Sequence, residues 1–444
     1  MGSAMTEEKK PRLFFGWFVL GAAFFIATVA YSMRYSFSVF YPEILNEFGW
    51  SRADTAGAFS VNLLVYGIIS PFVGILADRF GPRKVLVFGS VVLAVGLLAL
   101  SQLHSIWQFY LLFGFIMAVG INASGFAVHY SYLPNWFILR RGLAFGVITA
   151  ASGANNILAS LYQRIISSIG WRSAYGVLAA IVVVAILPLV AFVIRRTPQD
   201  KGQLPDGVAG NLKGKGSNEA GYNRADLLIA DKEWAATEWT LGRAFKANRF
   251  WFMFSSRFCF GFLVNLIMGH QPIYCQDVGF SAAFAAAVFG LSGFTLVVGN
   301  LCGFISDRIG REVTYTIGMV GIVIGIFILM TATASQPWLL YLYVIFWGLF
   351  LGVAGPAAFA TQADLFSFGG RRYGAINGFF IFGYGIGGMI GPWLGGYIFD
   401  VSKSYDLAFI IVIIASIASC IFLWLAAPRK VRLVAGKAPK FAGG

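Results

Sequence analysis

The chain has 444 residues, 58% of them hydrophobic and 12% charged, about half the charged fraction of an ordinary soluble domain. This composition excludes a string of soluble domains. It points to an all-α polytopic membrane protein, because lipid offers backbone groups no partner outside their own helix. A net charge of +14 would suggest nucleic acid in a soluble protein, but the positions of the basic residues point elsewhere.

In chain order, "MGSAMTEEKK" reads as an expression scar ahead of Met5, inside an N-terminal tail over residues 1–12. No cleavable signal is expected, since the first apolar run begins at Leu13 and is too long for one. Twelve spans are predicted, over 13–46, 52–77, 84–103, 106–134, 141–168, 173–195, 249–276, 281–306, 313–334, 337–365, 372–399 and 406–427. Each reaches the ~20 residues that cross a bilayer. The breaks carry turn and charge signals such as "DRFGPRK", "IGWRS" and "SFGGRR". The first six spans make an N-terminal bundle over 13–196 and the last six a C-terminal bundle over 249–427, followed by a tail over 428–444.

Between the bundles lies a polar linker, 197–248. Its first part, "PQDKGQLPDGVAGNLKGKGSNEAG", is rich in Gly and Lys and is expected to be disordered. Its end, "EWTLGRAFKANRFW", puts Leu241, Ala244 and Phe245 on one helical face and Arg243 and Lys246 on the other, the pattern of a short helix on the membrane surface.

With both termini cytoplasmic, 27 of the 33 Lys and Arg residues fall on the cytoplasmic side and four (Arg52, Arg164, Arg172 and Lys403) on the outside. The positive-inside rule therefore sets the orientation. The charge is used on topology and anionic lipid, so no nucleic-acid partner is expected. The last two cations, Arg34 and Arg257, lie within spans.

A phrase is repeated. "GILADRFGPRK" (74–84) follows the second span and "GFISDRIGRE" (303–312) follows the eighth, both reading Gly-x-x-x-Asp-Arg-x-Gly, 229 residues apart. "RRGLAFG" (140–146) opens the fifth span and "RRYGAING" (371–378) the eleventh, 231 residues apart. Two echoes at nearly one offset indicate a duplicated six-helix unit, the mark of secondary transporters with a substrate site between the halves. Asp78, Arg79, Asp307 and Arg308 stand at helix ends, where charge can meet helix dipoles and partners in the other half, as in a gate.

These residues resemble the loop motif of the major facilitator superfamily, and the resemblance covers the chain from Phe14 to Ala427. It implies twelve transmembrane helices in two pseudo-symmetric bundles. "WFILRRGLAFGVITAASG" (136–153), Gly16-Trp17 and "YSFSVFYPEI" (35–44) are similar to segments of the monocarboxylate transporter family and its oxalate–formate exchanger relatives. This implies a small carboxylate substrate. Short outer loops and modest length suggest a bacterial inner membrane, and a monomer is expected. The chain departs from the family at Thr295 and Gly299, where an Asp and an Arg are usual. It departs again at Tyr35, the place of a Lys, with Arg34 next door, and at Glu312, which stands where the first copy has Arg83.

A charge at the bilayer centre is costly, so Arg34 and Arg257 are either substrate ligands or snorkelling anchors. Arg34 shares a stripe with Tyr31 and Ser38, and Arg257 shares one with Asn265. Asn122, Asn377 and Tyr384 complete the candidate substrate site. No acid lies mid-span; Asp54, Asp277 and Asp364 are nearest and sit near helix ends. His129 and His270 are then the candidate proton-coupling residues. Otherwise the substrate brings its own proton or one anion is exchanged for another. No cofactor or metal is expected. The four cysteines have no ligand spacing, and "GYGIGG" (383–388) lies inside a span with no strand before it. The expected function is alternating-access transport of a lactate- or pyruvate-like monocarboxylate with a proton. Anion exchange and a non-transporting anion sensor are the alternatives, and no nucleophile–base cluster supports an enzyme.

Overall fold

The computed structural model describes residues 14–153, 155–207, 227–368 and 372–437. Most of the linker stretch expected to be disordered lies outside the described residues, as do the terminal residues read as an expression scar.

The first half of the chain forms α1 (Gly16–Phe48), α2 (Arg52–Phe80), α3 (Pro82–Leu100), α4 (Ile106–Trp136), α5 (Arg141–Ala150), α6 (Asn155–Ile169) and α7 (Trp171–Phe192). The second half forms α8 (Asn248–Asp277), α9 (Phe284–Ile309), α10 (Arg311–Thr331), α11 (Trp338–Phe366), α12 (Tyr373–Ser402) and α13 (Asp406–Ala426). Among the described residues, eleven helices are long and apolar enough to cross a membrane. The segment predicted as a continuous fifth span is instead two pieces, α5 and α6, with a turn from Ala151 between them. At the turn, Ser152 Oγ donates to Thr149 O at 2.7 Å, competing for a backbone acceptor, and Gly153 disfavours helix.

Local chemistry sets the helix ends. Ser51 accepts the N–H of Asp54 to cap α2, Ser281 caps the following helix through Phe284, and Ser105 with Gln108 closes a capping box before α4. The final glycine of the repeated phrase makes both sharp turns: Gly81 has φ +87 and Gly310 φ +111, a backbone region that L side chains avoid. α4 and α11 each contain a stretch of wider, i→i+5 winding, at Tyr110–Met117 and Ile345–Leu349.

Two short helices, Lys232–Ala236 and Leu241–Ala244, precede α8. The second falls where the amphipathic helix is predicted. Beneath α10 and α11 the linker pairs with the tail: Leu433 donates its N–H to Leu228 O at 2.7 Å and Ala230 to Val431 O at 3.0 Å. Large apolar side chains such as Phe72, Val95, Trp107, Phe192 and Trp393 are exposed, as expected of surfaces that face lipid.

Candidate functional site

Each letter of the repeated phrase has a structural use at the basic end of the molecule, the end that carries the Asp-Arg loops. Gly74 and Gly303 let helices of opposite halves touch. A Cβ on the first would strike the carbonyl of Gly374, and one on the second the carbonyl of Gly142. Asp78 accepts the N–H groups of Gly374 (2.8 Å) and Ala375 (2.9 Å) at the start of α12. Asp307 accepts those of Gly142 (2.9 Å) and Leu143 (3.1 Å) at the start of α5. A carboxylate on the first turn of a helix satisfies orphan N–H donors and meets the positive end of the dipole. Each half thus caps a helix of the other. The arginines of the phrase do something else. Arg79 and Arg308 are exposed, their guanidiniums 5.2 Å from Phe80 and 5.4 Å from Phe304.

A buried ion network, not anticipated from the sequence, reinforces one of the two contacts. Asp364, at the end of α11, takes Arg141 of the first half at 2.7 Å and Arg311 at 2.7 Å, with Arg432 of the tail at 3.9 Å. Arg311 also holds Asp307 at 2.7 Å and Ser306 Oγ at 2.6 Å. The corresponding turn of the first half carries Pro82 where the second has Arg311, so among the described residues the charged network has only one copy. Two signals for it were available. Arg141 belongs to the second echo, and Asp364 is one of three acids near a span end.

Further into the bundle, two cations make no ion pair with any acid among the described residues. Arg34 is 3% exposed, and its Nε and Nη2 have no hydrogen-bond partner among the described residues. Its guanidinium lies 3.9 Å from the Tyr66 ring and 5.4 Å from that of Tyr31. Arg257 is 2% exposed, with Nε and Nη1 likewise unpartnered, 4.3 Å from Phe359 and 5.2 Å from Tyr384. An aromatic row connects them. Tyr31 meets Phe126 at 4.2 Å, Phe126 stacks on Tyr130 at 5.5 Å, and Tyr130 crosses to Phe359 of the other half at 4.2 Å.

The other candidates divide. Asn265 donates to Gly261 O (2.9 Å) and to the Tyr384 hydroxyl (3.3 Å), placing it with Tyr384 beside Arg257. The Tyr31 hydroxyl meets that of Tyr66 at 2.7 Å, beside Arg34. Asn122 donates to Tyr66 O (2.9 Å) and Ser70 Oγ (2.6 Å), tying α4 to α2. Asn377 donates to Ala127 O across the halves at 3.4 Å. The Ser38 side chain lies outside the described residues. His129 is fully buried with Nδ1 at 2.7 Å from the Tyr132 hydroxyl. His270 has Nδ1 at 3.1 Å from the Tyr405 hydroxyl and Nε2 at 2.8 Å from Pro392 O. A carbonyl only accepts, so Nε2 carries the proton in that bond.

The Major Facilitator Superfamily family model matches residues 23–377 and, overlapping, 301–442. The chain belongs to that superfamily. It is a secondary transporter of the membrane, built on facilitator-type helices, and not an enzyme. Among similar curated proteins are a "Probable sulfoacetate transporter" of Cupriavidus necator, 28% identical over 88% of this chain and 89% of that protein. Monocarboxylate transporter 4 of Mus musculus is 27% identical over 93% of this chain and 84% of its own length. An oxalate:formate antiporter of Oxalobacter formigenes is 25% identical over 98% and 97%.

Proposed function

We propose that this facilitator carries a small carboxylate by alternating access, with the anion held between Arg34 of the first half and Arg257 of the second. The observation that carries this reading is the pair of buried guanidiniums with unused N–H donors. An uncompensated cation in the membrane interior is costly, and an entering carboxylate relieves that cost while gaining charge-assisted hydrogen bonds. The relatives are named for sulfoacetate, monocarboxylate and oxalate–formate transport, and all of these substrates are small organic acids.

In this reading the chain forms two six-helix bundles in a bacterial inner membrane, acts as a monomer, and keeps its basic end cytoplasmic by the positive-inside rule. The caps from Asp78 and Asp307 close that end, so the conformation faces outward. A lactate-like substrate moving with a proton is one form of the reading. Exchange of one anion for another is the second, favoured by the engagement of both His270 ring nitrogens with Tyr405 and Pro392. The direct test is a thermal-shift screen of small organic acids against the purified protein. Stabilisation by carboxylates and not by neutral analogues of the same size is expected. No shift with any acid would sink the proposal.

A further inference from the structure

A buried arginine that waits for an anion has two needs that conflict. Its charge must be stabilised while the site is empty, yet its N–H donors must stay unspent. An acid meets the first need and defeats the second: Arg311 spends its Nε on Asp364 and its Nη1 on Asp307 and Ser306. Arg34 is handled differently. It makes no ion pair among the described residues, and its Nε and Nη2 have no hydrogen-bond partner there. Its guanidinium lies instead over the ring of Tyr66, 3.9 Å from the centroid. A ring face attracts a cation through its quadrupole, most strongly where water is excluded.

We infer that Tyr66 is a positioning residue of the anion site: its ring holds the Arg34 charge in the empty protein and leaves the N–H groups for the ligand. This deepens, and rests on, the reading of Arg34 as a carboxylate ligand. The ring is itself fixed at both ends. Its hydroxyl meets that of Tyr31 at 2.7 Å. Its backbone carbonyl accepts from Asn122 Nδ2 at 2.9 Å and from Ser70 Oγ at 2.7 Å. Tyr66 is 7% exposed, so the face that meets Arg34 works in dry surroundings. The ligating side chain therefore comes from α1 and the group that aims it from α2. A long arginine side chain gives up much rotamer freedom when it is fixed. Fixing it beforehand removes that cost from binding. The ring face and the hydroxyl have separate tasks, one on the charge and one on the ring's own orientation, and substitution can separate them.

The test is calorimetric titration of the full-length protein in detergent with acetate, lactate and oxalate, using whichever of them the parent binds. Tyr66→Phe keeps the face and should bind within about threefold of the parent. Tyr66→Leu removes the face and should bind about tenfold more weakly or worse. Tyr66→Met, an unbranched apolar chain that adapts to the same space, carries the same expectation and serves if the Leu variant does not fold. The deciding readout is the cycle with Arg34→Gln. In that background the loss of the ring should change affinity by less than about twofold, because the charge it holds is gone. An equal loss with and without Arg34 would mean that the ring merely packs, and overturns the inference. So does parental affinity in Tyr66→Leu, or a loss in Tyr66→Phe as large as in Tyr66→Leu. Each of these results leaves the carboxylate reading standing. Binding of none of the three acids by the parent, or unchanged affinity in Arg34→Gln, overturns the inference together with the role of Arg34 on which it rests.

Discussion

Asp78 and Asp307 are counterparts that cap each other's halves: the first holds the N–H of Gly374 at 2.8 Å and the second the N–H of Gly142 at 2.9 Å. The two sequence echoes are therefore the two sides of one doubled contact, and Gly142 of "RRGLAFG" and Gly374 of "RRYGAING" are where the carboxylates land. Removing one charge weakens one cap. Caps are worth about 0.5–2 kcal/mol, enough to shift a balanced conformational equilibrium severalfold. Asp78→Asn and Asp307→Asn are each expected to alter turnover while leaving substrate affinity nearly unchanged. Spin labels at the exposed Lys84 and Lys430 should report a longer mean distance in both variants. An unchanged distance with a large loss of affinity would place these residues at the ligand instead of the gate.

Asp364 has a heavier task. It is 1% exposed and serves Arg141 and Arg311 at 2.7 Å each. Asp364→Asn leaves buried guanidiniums without their counter-charge, a change that costs about 3–5 kcal/mol in comparable buried pairs. A marked fall in melting temperature is expected in detergent, larger than that of either cap variant. A variant as stable as the parent would show that water already solvates this cluster.

Arg432 approaches the same carboxylate only at 3.9 Å, behind two closer cations. Arg432→Gln should therefore cost much less stability than Asp364→Asn and should favour opening of the basic end. The Lys84–Lys430 label pair reads this directly. Equal destabilisation by the two substitutions would mean that the tail is a structural part of the cluster and not a latch on it.

Asp206 gives a pH-dependent prediction outside the membrane. Its Oδ2 accepts the N–H groups of Ile138 and Leu139 at 2.8 Å each, while Oδ1 is buried without a partner among the described residues. Burial raises its pKa above the ordinary carboxylate value, against the pull of those backbone bonds. A raised value in the fold means that its favourable contribution is whole in acid, below the unfolded value of about 3.9. That contribution is lost as pH rises through the folded value. Asp206→Asn is thus expected to raise the melting temperature by about 1–2 °C at pH 7, with the gain closing towards pH 4. A loss at pH 7 would show that the ionised cap outweighs its desolvation.

Much of the fold was legible because spans, basic loops and the duplication each leave a local mark. The break in the predicted fifth span was harder to see, since Ala151 and Gly153 keep the run apolar while Ser152 and Gly153 weaken the helix. The candidate site was legible in part. A buried arginine announces itself by its cost, and Tyr31 stands one turn from Arg34 by simple periodicity. Tyr66, Phe126, Tyr130 and Phe359 come to the arginines from other helices, and no spacing within one helix points to them. The Asp364 cluster draws on α5, α10, α11 and the tail, so its members are far apart in sequence and look like ordinary end charges. The pairing of Leu228 with Leu433 has no signature at all, being a few backbone contacts between two short segments far apart in the chain.

The most direct measurement is uptake of labelled small acids into proteoliposomes by the parent protein and by the Arg34→Gln/Arg257→Gln double variant, each preloaded with unlabelled acid. The parent should show uptake stimulated by the acid inside, and the double variant, folded and correctly inserted, should fall to the rate of empty liposomes. Uptake by the double variant at the parental rate would show that the two buried cations do not hold the substrate, and would contradict the assignment.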